Sequence, residues 1–150
     1  MRYDHTQKAP FYLLLVVITS GMFVSAWFVP ERVAQFSLAT GGGLTAILAL
    51  AFRQLTIRDN GDALFVGFGP LPLFRRSVPY VDIERVEQGR SSWLDGWGIH
   101  ISPSGGWVWN LWGFDCVDVY LSRGRKLRIG TDDPVELAAF LQQQITSHEK

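Results

Sequence analysis

Three histidines, one cysteine and a triple glycine are the residues whose types most often do chemistry, and none has the company that chemistry needs. His5, His100 and His148 are widely spaced, and no His-Glu-x-x-His pattern places two of them on one helix face. Cys116 is the single cysteine, which rules out an intrachain disulfide and a cysteine-built metal cage. A catalytic thiol would need a partner base, and none stands beside it in the sequence. Gly41-Gly42-Gly43 lies in an apolar run and lacks the following Gly-Lys-Ser/Thr of a phosphate loop. Asp82 and Glu84 show ordinary surface alternation, with no spacing that isolates a general acid from a general base. The expectation is a non-enzymatic protein with no catalytic residue, metal site or cofactor.

Two other groups are unusual enough to suggest binding. Trp93, Trp97, Trp107, Trp109 and Trp112 crowd one short region, and alternation puts Trp107 and Trp109 on one strand face with Trp112 on the other. Such rings fill a core, rest at a bilayer surface or form a protein-binding hot spot. The stretch Ser91-Ser92-Trp93-Leu94-Asp95 sets two large apolar groups between polar ones, so Trp93 and Leu94 are expected on an exposed connection. Arg123, Arg125, Lys126 and Arg128 form a basic group, read either as contacts to anionic headgroups or as a solvated strand end balanced by Asp115, Asp118, Asp132 and Asp133. Arg53 is expected at the membrane boundary, where its long stem lets the guanidinium snorkel. The chain as a whole carries 14 basic and 14 acidic side chains, a balance that argues against nucleic acid as a partner.

These groups must be positioned by something, and the strongest organising feature lies N-terminal to them. Phe11–Val29 and Val33–Phe52 are uncharged apolar runs separated by Pro30, Glu31 and Arg32. At about 1.5 Å per helical residue each run reaches roughly 28–30 Å, the thickness of a hydrocarbon slab. The reading is a two-span transmembrane hairpin over residues 11–52, preceded by a cytoplasmic tail at 1–10 and followed by a cytoplasmic domain at 53–150. Arg2 and Lys8 on one flank, with Arg53 and Arg58 on the other, place both termini inside. Cleavage of the first run as a signal peptide is disfavoured by its length and by the second run directly behind it. Neither span holds Asp, Glu, Lys, Arg or His, so an anchor is expected rather than a transport path. Gly21, Gly41, Gly42 and Gly43 are expected to permit close helix packing, inside the hairpin or against another copy.

After Phe52 the pattern shortens to strands. Asp59-Asn60-Gly61-Asp62 is a hairpin-turn signal between Leu55–Arg58 and the alternating Leu64, Val66 and Phe68. Two strands are expected around Pro79–Asp82, then half-buried antiparallel strands through Ile129 with one wet face that includes Cys116, Asp118 and Tyr120. Asp133, Pro134 and Glu136 read as a capping box opening a final helix whose stripe is Leu137, Ala138, Leu141 and Ile145.

Seven or so antiparallel strands with one capping helix describe an α+β chain ending in a pleckstrin-homology-like (PH-like) barrel or sandwich. The segments Val78–Val86, Gly96–Ile99 and Leu127–Pro134 with Leu137 resemble the bacterial PH-like family of small membrane proteins, in which a transmembrane hairpin precedes the barrel. The resemblance implies a location in the bacterial inner membrane and no catalytic motif. The chain departs from phosphoinositide-binding PH domains, because Asp59 and Asp62 stand where their basic hairpin would be. The function expected is a membrane-anchored scaffold or interaction protein that binds the lipid bilayer and either itself, as a homo-oligomer, or a membrane protein partner. An anchored lipid- or small-ligand-binding module and an accessory subunit of a membrane enzyme or transporter are the alternatives.

Overall fold

A computed structural model describes residues 2–70, 73–103 and 105–148. Among these, a strand β1 (Asp4–Lys8) leads into helices α1 (Phe11–Phe28) and α2 (Arg32–Ala51). Eight strands follow: β2 (Gln54–Asp59), β3 (Ala63–Phe68), β4 (Phe74–Pro79), β5 (Ile83–Arg90), β6 (Gly98–Ile101), β7 (Trp107–Asn110), β8 (Asp115–Leu121) and β9 (Arg125–Gly130). Helix α3 (Pro134–His148) closes the order.

The two apolar runs form the expected helical hairpin. Only 6% of the apolar stretch of α1 and 11% of that of α2 is buried, so these are not core helices of a globular domain. Leu14, Val17, Val24, Phe28, Val33 and Phe36 all lie exposed around the pair. Apolar surface on every side of a helix is stable in lipid and costly in water. The chain is a membrane-associated protein carrying a β-rich domain.

One correction concerns the N-terminus. Residues 1–10 were expected to be a tail, but Asp4–Lys8 pair antiparallel with β2 along their whole length, from Asp4 opposite Arg58 to Lys8 opposite Gln54. The period-two signal is missing from a polar five-residue edge strand, where only Gln7 is buried. Because β1 and β2 are neighbours, the hairpin is an insertion between paired strands, and both its legs return to one side. Cleavage within α1 would strip β1 from the sheet it completes.

The first sheet has the order β1-β2-β3-β4 and the second β5-β8-β9-β7-β6. The Asn-Gly turn forms as expected, with Asn60 N–H donating to Ala63 O at 2.9 Å and Gly61 at φ +86°. Leu55, Ile57, Leu64, Val66 and Phe68 from the first sheet meet Trp109, Val117, Val119, Leu127 and Ile129 from the second in one core. Two expectations change here. The pairing is not wholly antiparallel, since β7 runs parallel to β9. Nor does β8 keep a wet face, since Cys116 and Asp118 are buried along with Val117 and Val119. The cause is the connection from β5 at one edge to β6 at the other, which crosses the outside of the second sheet and covers it.

Helix α3 lies against β5 and β8 and seals the core with Leu137, Leu141 and Ile145. Phe140 joins that stripe, stacked on Tyr3 of the N-terminal segment at 5.5 Å between ring centroids. Asp133 Oδ1 accepts from Glu136 N–H at 3.4 Å, whereas Asp133 N–H donates to Thr131 Oγ1 at 3.0 Å. Thr131 thus takes the role expected of the Glu136 side chain. His5 meets Asp132 at 2.6 Å and ties β1 to the approach of this helix.

Candidate membrane-facing site

The base of the hairpin sets the geometry of everything near it. Helix α2 ends where Phe52 N–H donates to Leu48 O at 2.9 Å, and β2 starts two residues later. Gly69, at φ +79°, bonds through its N–H to Gln54 O at 2.7 Å, and a Cβ there would lie 2.9 Å from Ala51 Cα. Only glycine fits that close approach of the β3 end to the helix end. The domain is docked on its anchor rather than strung from it.

Aromatic rings gather around this joint. Phe52 lies 5.2 Å from Phe68 and 6.2 Å from Phe74, and Phe11 lies 6.4 Å from Trp97. Trp97 stacks on Trp112 at 4.4 Å and donates from Nε1 to Gly113 O at 3.2 Å. Gln7 Nε2 donates to Trp112 O at 3.0 Å, stitching β1 to this corner. Trp97 is 41% and Trp112 36% exposed, with Phe74 and Phe114 similarly half-open. Half-open tryptophan rings, each with one polar N–H, suit the boundary between hydrocarbon and water. Arg53 stands at the same level, its Cζ 5.8 Å from the Tyr12 ring centroid, at the mouth of a groove between α1 and α2.

The five tryptophans therefore divide. Trp109 is a core residue, 5.8 Å from Phe68. Trp97 and Trp112 face the hairpin joint. Trp93 is 81% exposed on a 3-10 turn over Trp93–Asp95, the connection expected to be exposed. The side chain of Leu94 lies outside the described residues. Trp107 is separate again, at the far end of β7, opposite Ile101.

A buried polar network holds the crossing connection in place. Asp95 Oδ1 accepts from Ser102 Oγ at 2.7 Å, and its Oδ2 accepts from Ser92 N–H at 3.0 Å and from Arg128 NH1 at 3.0 Å. Arg128 also forks onto Asp118, Nε to Oδ1 at 2.7 Å and NH2 to Oδ2 at 2.9 Å. Lys126 Nζ adds a 2.9 Å ion pair to Asp118. Burial alone would raise the Asp118 pKa, but the Arg128 and Lys126 hydrogen bonds bring it below the ordinary carboxylate range. The Ser102 hydrogen bond leads in lowering Asp95, and Asp118 leads in raising Arg128. Two carboxylates and two cations neutralise each other beneath the loop that carries Trp93 and Trp97.

The basic group, read either as headgroup contacts or as a strand end balanced by acidic residues, is divided by the fold. Lys126 and Arg128 are committed to buried carboxylates. Arg125 starts β9 at the end remote from the hairpin, opposite Leu121, and Arg123 precedes it in a turn at φ +67°. From Lys126 to Gly130, which lies beside the Asn110 end of β7, the strand runs about 13 Å toward the hairpin end, leaving Arg125 and Lys126 on the far side. Arg53, by contrast, lies at the base of the hairpin beside Tyr12. Sequence order hid this, because nothing local says which end of β9 points toward the anchor.

The packing glycines also divide. A Cβ on Gly41 would lie 2.5 Å from Met22 Cε, and one on Gly42 would lie 3.3 Å from the Phe23 ring, so both face α1. Gly21 and Gly43 have nothing within 4 Å of a built Cβ and face away from the helix contact. Among the described residues no group of three or more His, Cys, Asp or Glu is arranged to hold a metal ion. No protein-family model matches the chain, and no curated protein matches it.

Proposed function

We propose that the protein is a non-enzymatic membrane scaffold that holds a PH-like domain at the cytoplasmic face for a homo-oligomeric or membrane-protein partner. The observation that carries this reading is the insertion of the hairpin between β1 and β2, two strands paired from Lys8 and Gln54 outward. A domain tied by one flexible linker tumbles. One tied through two adjacent strands, with Gly69 packed on the end of α2, keeps a fixed face toward the bilayer and another toward the cytoplasm. Tethering of this kind raises the local concentration of a surface for partners in the same membrane. The half-open Trp97 and Trp112 rings support the same orientation by placing interfacial side chains beside the spans. The positive flanks Lys8 and Arg53 favour the cytoplasmic side, and the bacterial inner membrane is the setting that the family resemblance implies.

The reading is tested by extracting the full chain with its surrounding lipid and measuring the mass of the intact particle. A discrete homo-oligomer, or a stoichiometric complex with one membrane protein, is expected. A population made only of single chains at native abundance would overturn the scaffold reading.

A further inference from the structure

The chain is neutral overall, but folding does not leave its charges mixed. Arg76 lies opposite Val66 in the β3–β4 pairing, on the strand face that also carries the buried Val78. Its side chain is therefore turned toward the core side of an edge strand and is half-buried. It makes no hydrogen bond and no ion pair among the described residues, although a guanidinium carries five N–H donors. Across a cleft of about 570 Å³ stand Trp107, Tyr120, Arg125 and Lys126. Lys126 is occupied by Asp118, but among the described residues Arg125 has only Asp82, at 4.0 Å, and a 3.3 Å bond from Nε to Ser122 O. Burial first and the Arg125 charge second lower the Arg76 pKa, so the two arginines oppose each other across the cleft. Arg75 and Arg58 lie beyond Arg76 and make no ion pair among the described residues, although Asp4 stands opposite Arg58 in the β1–β2 pairing.

Arginines on an edge strand often guard it against pairing with another chain. That account covers Arg75, which is exposed. It does not cover Arg76, whose side chain leaves the edge and points inward toward a second cation. An anion in the cleft would satisfy both. Two planar guanidinium forks match a phosphate more closely than point charges would. Trp107, 45% exposed at the same mouth, offers a flat apolar face to a ring attached to that phosphate. Trp107 and Arg125 sit at the strand ends remote from the hairpin, so headgroups of the bilayer that holds α1 and α2 do not reach them.

We propose that this cleft binds a soluble, ring-bearing phosphate ester of the nucleotide class, with Arg76 and Arg125 on the phosphate and Trp107 stacked on the ring. The site is separate from the aromatic joint and does not depend on the scaffold reading.

The test uses the full chain in nanodiscs of zwitterionic lipid, titrated with inorganic pyrophosphate and with ADP by calorimetry. Saturable binding of both is expected, tighter for ADP. R76Q and R125Q should each weaken both by at least about ten-fold, W107L should weaken ADP alone, and R32Q on the opposite side of the bilayer should change nothing. Thermal melting gives a second readout. R76Q removes an uncompensated charge, so its melting temperature should equal or exceed that of the parent, and pyrophosphate should raise the parent's but not the variant's. No saturable binding to millimolar concentration, unchanged affinity in R76Q and R125Q, or capture only of anionic vesicles would each overturn the proposal. A clearly lower melting temperature for R76Q would do the same, by making Arg76 a structural residue.

Discussion

Asp118 shows how little a residue's type says about its work. It reads as an outward strand carboxylate, yet it sits buried between Arg128 and Lys126 beneath the crossing connection. Replacing it by Asn keeps the shape and leaves Arg128 with one buried partner, Asp95, instead of two. D118N should cost about 3–5 kcal/mol, the range for breaking a buried pair from one side, measured by denaturant unfolding in detergent. The pH dependence follows from the direction of the shift. The folded Asp118 pKa lies below its unfolded value, so its stabilisation is present above the ordinary carboxylate range and is lost as pH falls through the folded value. The parent should lose stability on acidification below about pH 4, and D118N should show a shallower loss. An equal acid slope in both would detach this network from the pH response. Cys116 belongs to the same scale. Burial raises its pKa and keeps the thiol protonated, so it should resist thiol reagents until the domain unfolds.

At the scale of elements, α3 and the hairpin owe their stability to different things. Leu141 of α3 is fully buried between the sheets and the helix axis, beside Leu137 and Ile145. L141A should therefore cost about 2–5 kcal/mol by the same unfolding measurement, since the rigid strands around it cannot collapse into the space. In the hairpin, Gly41 faces Met22 while Gly43 faces nothing. Met22 can swing its flexible end aside, but Gly42 packs on the Phe23 ring, so G42L should spread the two helices and G43L should not. A cysteine pair placed across α1 and α2 in the Cys116→Ser background would report this as lost cross-linking in the first variant alone. Loss in both variants would place a further helix against Gly43. The triple glycine looked uniform in the sequence, and the rotation of about 100° per residue is what separates its members.

The whole molecule is governed by one topological fact, that β1 precedes the anchor and pairs behind it. Membrane retention should depend on apolar burial of α1 and α2 and not on the basic residues of β9. Converting Arg123, Arg125, Lys126 and Arg128 together to Gln should leave the protein in the membrane pellet through a high-salt wash. Release into the supernatant would contradict the two-span anchor. The same quadruple change should lower domain stability, because Arg128 and Lys126 serve the buried network. Retention and folding thus separate in one variant.

The helical hairpin, the Asn-Gly turn, the alternating first-sheet core and the final helix could be read from the chain because each is written in a local period or a local turn chemistry. Uninterrupted apolar length marks a span, and alternation marks a half-buried strand. What could not be read was set by partners distant in the chain. β1 exists because β2 arrives some fifty residues later, and its own polar residues announce no strand. Asp118 and Cys116 are buried because a connection crosses over them, which no alternation encodes. The five tryptophans share a type and a neighbourhood, yet tertiary packing sends one to the core, two to the anchor joint, one to an open turn and one to the far cleft. The sequence by itself determined that the chain has an apolar hairpin and a β-rich domain. The tertiary structure alone decided which charges cancel, which lie at the hairpin base and which stand opposed across a cleft, because charge interactions depend on distance in space and not on order along the chain.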